Sequence, residues 1–345
     1  MKKSNGALLT AVLVIIFFLL LIKVVIVNKK SSEGPPYNVI VITLASVRNI
    51  DTLEDKGHRF IPYLWKELFP KGVVYTNLVN LNYPFHSMPA AAALSGYDYP
   101  NGEFPEMPDI MERLRKQYNL PKEKVWSFAA LGQSWCTPKG FESMTPAYFS
   151  AIALTSSGEL ENIISHEELV FLNNYRKMLE ESHIPDMLKV GAYFYYMSWD
   201  SYGDIFYRMF KAIIQRHHPV FIHYVMTDPE CAHYDTLAKY LFAIKRCDER
   251  IFQIWKMIQS DAVYKNKTYL LVVCDNSRDD YYMQHDQHLY DDPFAVWLYM
   301  YGPGIKENAM ISRPIKHTDI FATLARIMKL KDHAGKGEIL KDAFN

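Results

Sequence analysis

Three short stretches hold most of the residues in this chain that could do chemistry. Residues 227–235 read TDPECAHYD and set Asp228, Glu230, His233 and Asp235 close together. Residues 275–280 read DNSRDD and open with Asp275 and Asn276. Residues 281–292, YYMQHDQHLYDD, add His285, Asp286, His288, Asp291 and Asp292. Carboxylate oxygens and neutral imidazoles are the donors that hold divalent cations such as zinc, calcium or manganese. The same residue types also crowd solvated loops, so composition alone leaves both readings open.

Position sharpens the choice. The first two stretches follow directly on apolar runs, VFIHYVM at 220–226 and TYLLVVC at 268–274. Similar runs are NVIVITLA at 38–45, VVYTNLV at 73–79 and AVWLYMYG at 295–302. Continuous β-branched runs of this length read as strands buried on both faces, the parallel-sheet type. Between them, residues 236–258 carry Leu237, Leu241, Ile244, Ile251, Ile254, Trp255 and Ile258 at helical spacing, and residues 319–330 form a second helical pattern. Strands alternating with helices predict an α/β fold, a central, mostly parallel sheet with helices on both faces. Ligands of such sheets bind beyond the carboxyl ends of the strands. The ends that matter here are Ala45, Asp228 and Asp275.

The N-terminus carries a different signal. Residues 7–27, ALLTAVLVIIFFLLLIKVVIV, are interrupted only by Lys23 near the end. About 20 apolar residues cross a hydrocarbon core, and a lysine near the end can snorkel. No small-residue cleavage site follows, so the run reads as an uncleaved single-pass anchor rather than a signal peptide. The expected organisation is a tail at 1–6, a transmembrane helix at 7–27, a polar linker at 28–36 and one globular domain over 37–345. Lysines flank both ends of the span, so charge leaves its orientation open. The 38 basic and 38 acidic residues balance, which argues against a nucleic-acid partner. Cys136, Cys231, Cys247 and Cys274 form no C-x-x-C pair and read as free buried thiols.

Six blocks, in order along residues 37–330, resemble those of the alkaline phosphatase/sulfatase superfamily. NVIVITLASVRNID resembles its opening strand, NVIxIxxDSLR. GVVYTNLVN with SMPAAAALSGYDYP resembles the block in which a nucleophile precedes a helix of small residues. HPVFIHYVMTDPECAH resembles a strand ending in PDxxGH, and TYLLVVCDNS one ending in SDHG or SDNG. QHLYDDPFAVWLYMYGPGI resembles THGYDN followed by an apolar strand, and HTDIFATLARIMKL the closing helix.

The resemblance implies a metal-dependent hydrolase of phosphate or sulfate esters, acting on a small-molecule or glycan ester, with its domain facing out of the cytoplasm. In such a site a cation offsets the charge that builds when a hydroxyl attacks phosphorus or sulfur. It implies Ser87 as nucleophile, with His86 as the alternative if the gap is placed differently. No cysteine lies there, which excludes formylglycine chemistry. Glu230, His233 and His288 are implied as one group of metal ligands. Asp275 and Asn276 remain from the other, whose first aspartate is replaced by Ala45, with Ser46 or Asp51 open to compensate. Arg48 matches the family arginine, and Arg48 and His285 are expected on the substrate side. One cation is expected rather than two. Two classes stay open: a weakened hydrolase, or a pseudoenzyme that serves as a binding or scaffold domain.

Three residues carry plainer expectations. Asp248, inside the second helical pattern, is expected to be solvated or to cap. His317 is expected at a helix N-terminus capped by Thr318 or Asp319. Asn266-Lys267-Thr268 is a glycosylation sequon whose use depends on the host and on which side of the membrane the domain lies.

Overall fold

The computed structural model describes residues 34–83, 87–102, 107–128, 147–149, 170, 199–226, 229, 236–277 and 295–345. The proposed anchor at 7–27 lies outside them. Among the described residues, no helix is long and apolar enough to cross a membrane.

Among the described residues, nine strands make one sheet: β1 (Asn38–Leu44), β2 (Val73–Val79), β3 (Val125–Phe128), β4 (Ala147–Phe149), β5 (Phe221–Met226), β6 (Thr268–Cys274), β7 (Ala295–Tyr301), β8 (Ala309–Ile311) and β9 (Ile315–Lys316). Their order is β4-β3-β5-β1-β6-β7-β2-β8, and β9 also pairs with β2. β1 lies between β5 and β6 in parallel register, with Ile42 opposite Tyr224 on one side and Val272 on the other. Every residue of β1 and of β6 is buried. That explains the unbroken apolar runs, since a strand covered on both faces has no solvent side to alternate toward. β7 is the exception in direction and runs antiparallel to both β6 and β2.

Helices α1 (Ser87–Ser95), α2 (Ile110–Tyr118), α3 (Trp199–His217), α4 (Leu237–Ser260) and α5 (His317–Ile327) flank this sheet. Thr236 starts α4 by accepting the Lys239 N–H. α2 begins with a reciprocal capping box between Asp109 and Glu112 and ends at Asn119, whose φ of 51° is left-handed. α5 starts two residues before the expected 319 and stops at Ile327. Thr318 does not cap it; Asp319 instead reaches back to accept the Lys316 N–H at 2.9 Å. α1 packs on α5. Gly96, at φ 83°, ends α1 where an added Cβ would run into the Phe321 ring, so this close approach requires glycine.

Asp248 is buried rather than solvated. It caps a different element: its two carboxylate oxygens accept the Tyr63 and Leu64 N–H groups at 2.9 and 2.7 Å. These are free donors at the start of the helical turns over Leu64–Leu68. Cys247 and Cys274 are free and buried, as their spacing suggested. Burial pushes the Cys274 thiol well above its ordinary range. Cys136 and Cys231 lie outside the described residues.

Candidate functional site

Strand direction gathers the candidate residues. β1, β5, β6 and β2 all point the same way, so their carboxyl ends share one edge of the sheet. β7 begins at that edge because it runs the other way. β9 pairs in parallel with the end of β2, Lys316 opposite Val79, so α5 also starts there. Ala45, Asp275 and His317 therefore lie at one edge, and residues 227–235 and 278–294 connect to it.

The end of β1 is held by hydrogen bonds. The Ala45 N–H donates to the Met226 carbonyl at 3.3 Å, and the Asp275 N–H donates to the Leu44 carbonyl at 3.2 Å. Ser46 is fully buried with a left-handed φ of 58°. Its N–H donates to Asp275 Oδ1 at 2.9 Å, and the Asn276 N–H donates to the same oxygen at 2.6 Å. The Tyr240 hydroxyl on α4 donates to the Ser46 carbonyl at 3.1 Å and accepts the Arg48 N–H at 3.2 Å. The Arg48 guanidinium grips Asp51 with two bonds, 2.5 and 3.0 Å. Such a paired geometry is among the stronger charge-assisted contacts. It commits Asp51, the acid nearest Ala45 in sequence, to the arginine.

At the neighbouring end, the buried His317 imidazole donates from Nε2 to the Cys274 carbonyl at 3.3 Å. Burial pulls it down to about 4, so it is neutral, and among the described residues its Nδ1 has no hydrogen-bond partner. On β5, His223 is pushed down to about 3 by burial alone and shares a 2.9 Å hydrogen bond with the Thr43 hydroxyl.

The structure thus brings Ala45, Arg48, Asp275 and Asn276 to one edge, all of them buried. Ser87 is the first residue of α1, the helix that follows β2. Glu230, His233, His285 and His288 lie outside the described residues. Sequence reasoning missed Tyr240 and His317 as parts of this edge; Ser46 and Asp51 it named as residues that could compensate for Ala45. Nothing in the sequence marks a left-handed serine or a tyrosine that reaches from another helix. His317 carried a signal, an imidazole directly ahead of an apolar helix, but it was read as a helix end only.

The described residues do not by themselves make up a metal site. Ala45 offers no donor, and Asp275 accepts the Ser46 and Asn276 N–H groups through Oδ1. Among the described residues, no three histidine, cysteine, aspartate or glutamate side chains are grouped to hold a cation.

No family model and no curated protein sequence matches this chain. Solved structures do. A phosphonate monoester hydrolase from Silicibacter pomeroyi aligns at a TM-score of 0.57 with 15% identity, covering 89% of this chain and 78% of the other. A 2-O glycosaminoglycan sulfatase aligns at 0.52 with 12% identity, covering 90% and 76%. A protein in the alkaline phosphatase superfamily from Vibrio parahaemolyticus aligns at 0.53 with 13% identity, covering 86% and 68%. At such identities the likeness speaks for the fold. With its central sheet, flanking helices and shared strand edge, the chain has the fold of the alkaline phosphatase superfamily.

Proposed function

We propose that this chain is a membrane-anchored, sulfatase-like protein in which hydrolysis of phosphate or sulfate esters is weak or lost. The observation that carries this reading is the end of β1, where buried Ala45, which has no ligand atom, stands beside Asp275. The fold, shared with a sulfatase and a phosphonate monoester hydrolase, supports the ester class. Glu230, His233 and His288 are the residues proposed to hold a single divalent cation. Ser87, at the start of α1, is the proposed nucleophile of any turnover that survives.

The test is turnover of an aryl sulfate, an aryl phosphate and an aryl phosphodiester, with zinc, calcium or manganese supplied in turn. Wild type is expected to show no more turnover than Ser87→Ala. Metal-dependent turnover that vanishes in Ser87→Ala would overturn the reduced-activity reading.

The anchor is tested separately. Removing residues 1–30 is expected to release a soluble, folded domain, because the run at 7–27 finds no partner in a soluble fold. Truncated protein that stays with membranes through a carbonate wash would refute the anchor.

A further inference from the structure

We propose that the edge of the sheet opposite the candidate site rests on the bilayer, its lysines against anionic lipid headgroups, so that the site opens away from the membrane. The inference rests on the proposed anchor at 7–27 and goes beyond it by fixing which way the domain faces.

The first observation is where the chain enters the fold. Tyr37 and Asn38 lead into β1 at the edge formed by the amino ends of β1, β5 and β6. Tyr37 is held there edge-on against Tyr269, with ring centroids 5.2 Å apart. The Asn38 N–H donates to the Lys267 carbonyl at 2.8 Å. Ala45 and Asp275 lie at the other ends of the same strands, and the length of β1 puts about 20 Å between the two edges.

The second is the reach of the linker. Residues 28–36 span at most about 30 Å when fully extended. With the amino edge toward the membrane, they need only cross the headgroups. With the site edge toward it, they would have to run back past all of β1 and then past the loops beyond its end, with about 10 Å left for those loops.

The third is charge. The connections at the amino edge are 69–72 before β2, 120–124 before β3, 261–267 before β6 and 302–308 after β7. They carry Lys71, Lys122, Lys124, Lys265, Lys267 and Lys306 against Glu123, Asp261 and Glu307. Among the described residues, none of these lysines is ion-paired. Asp261 is already engaged, accepting the Val263 N–H at 2.7 Å and lying 3.4 Å from the His218 ring. The chain as a whole is balanced, so the excess of cations belongs to this edge. Lysines held near an anionic bilayer are attracted to it, within a Debye length of about 10 Å. The 20 Å depth of the sheet leaves the site edge outside that range, and any ester bound there arrives from the aqueous phase.

The experiment is hydrogen exchange on the full chain, reconstituted in bilayers of phosphatidylcholine alone or mixed with phosphatidylglycerol. Near neutral pH, amide exchange is catalysed by hydroxide, and an anionic surface depletes hydroxide beside it. Amides of 261–267 and 302–308 are expected to exchange about threefold more slowly in the anionic bilayer than in the neutral one. Those of 46–55, which include the exposed Ile50, are expected to exchange equally in both. Raising salt to about 1 M should remove the difference. The double variant Lys265→Glu with Lys267→Glu, both positions exposed, should lose the slowing at 261–267 while staying in the bilayer.

Slowing at 46–55 in place of 261–267 would overturn the proposed orientation. Equal protection of 261–267 in neutral and anionic bilayers would overturn it as well, since it would mark a second copy of the chain as the cover rather than lipid. So would slowing that persists in the double variant. A chain that leaves the bilayer in carbonate would refute the anchor itself, and the orientation with it; a chain that stays but shows no slowing at 261–267 refutes the orientation alone.

Discussion

His317→Gln is expected to lose its stability deficit, relative to wild type, as pH falls from 7 to 4, by about 3 kcal/mol. The sign follows from burial. His317 titrates at about 4 in the fold, against an ordinary value near 6.5, because burial disfavours the imidazolium. A depressed folded value means that the neutral side chain contributes stability above pH 6.5, and that this contribution is lost as pH falls toward 4. Glutamine cannot titrate, so it does not share the loss. His223, at about 3, should behave alike in His223→Gln, with a slightly larger effect.

The comparison must be made as a difference between variant and wild type. Asp248 is pushed up by burial to about 7, and Asp109 is pushed up by burial and by the neighbouring Glu112, and both titrate in the opposite sense. Urea unfolding of wild type and each variant at several pH values measures the gap directly. A gap that stays constant from pH 7 to 4 would mean that these imidazoles are not buried and neutral.

The second large effect is expected at Asp248. Asp248→Ala should lower stability by about 4 kcal/mol and the unfolding midpoint by roughly 6 °C. Both carboxylate oxygens receive backbone N–H groups, from Tyr63 and Leu64. Alanine leaves these two donors buried at the start of a helical segment with nothing to accept them. Asp248→Asn should keep one acceptor and recover part of the loss. A thermal melt of the alanine variant within 2–3 °C of wild type, well short of that shift, would show that the Leu64–Leu68 turns do not depend on this cap.

The strand ends show how far the sequence could be read. The runs at 73–79 and 268–274 coincide with β2 and β6, and those at 38–45, 220–226 and 295–302 match β1, β5 and β7 to within a residue. Continuous burial leaves a strong mark on composition. The short strands β3, β8 and β9 left none, because two to four residues are too few to show a period. Nor could composition show the direction of β7, since a strand covered on both faces reads alike either way. The strand-end rule placed Ala45 and Asp275 together correctly. What it could not supply was their hydrogen bonding. That depends on the left-handed backbone of Ser46 and on a tyrosine that arrives from α4, facts of tertiary structure with no local spacing.

The reversal of β7 has a bearing on how this protein could change. In a parallel succession the chain must cross the whole domain between one strand and the next, so the length of each connection is constrained. Between Cys274 and Ala295 no such crossing is needed, because the chain leaves and re-enters the sheet at the same edge. The antiparallel pairing of β6 and β7 sets no minimum length on the link between Cys274 and Ala295, so a change of length there need not shift either strand.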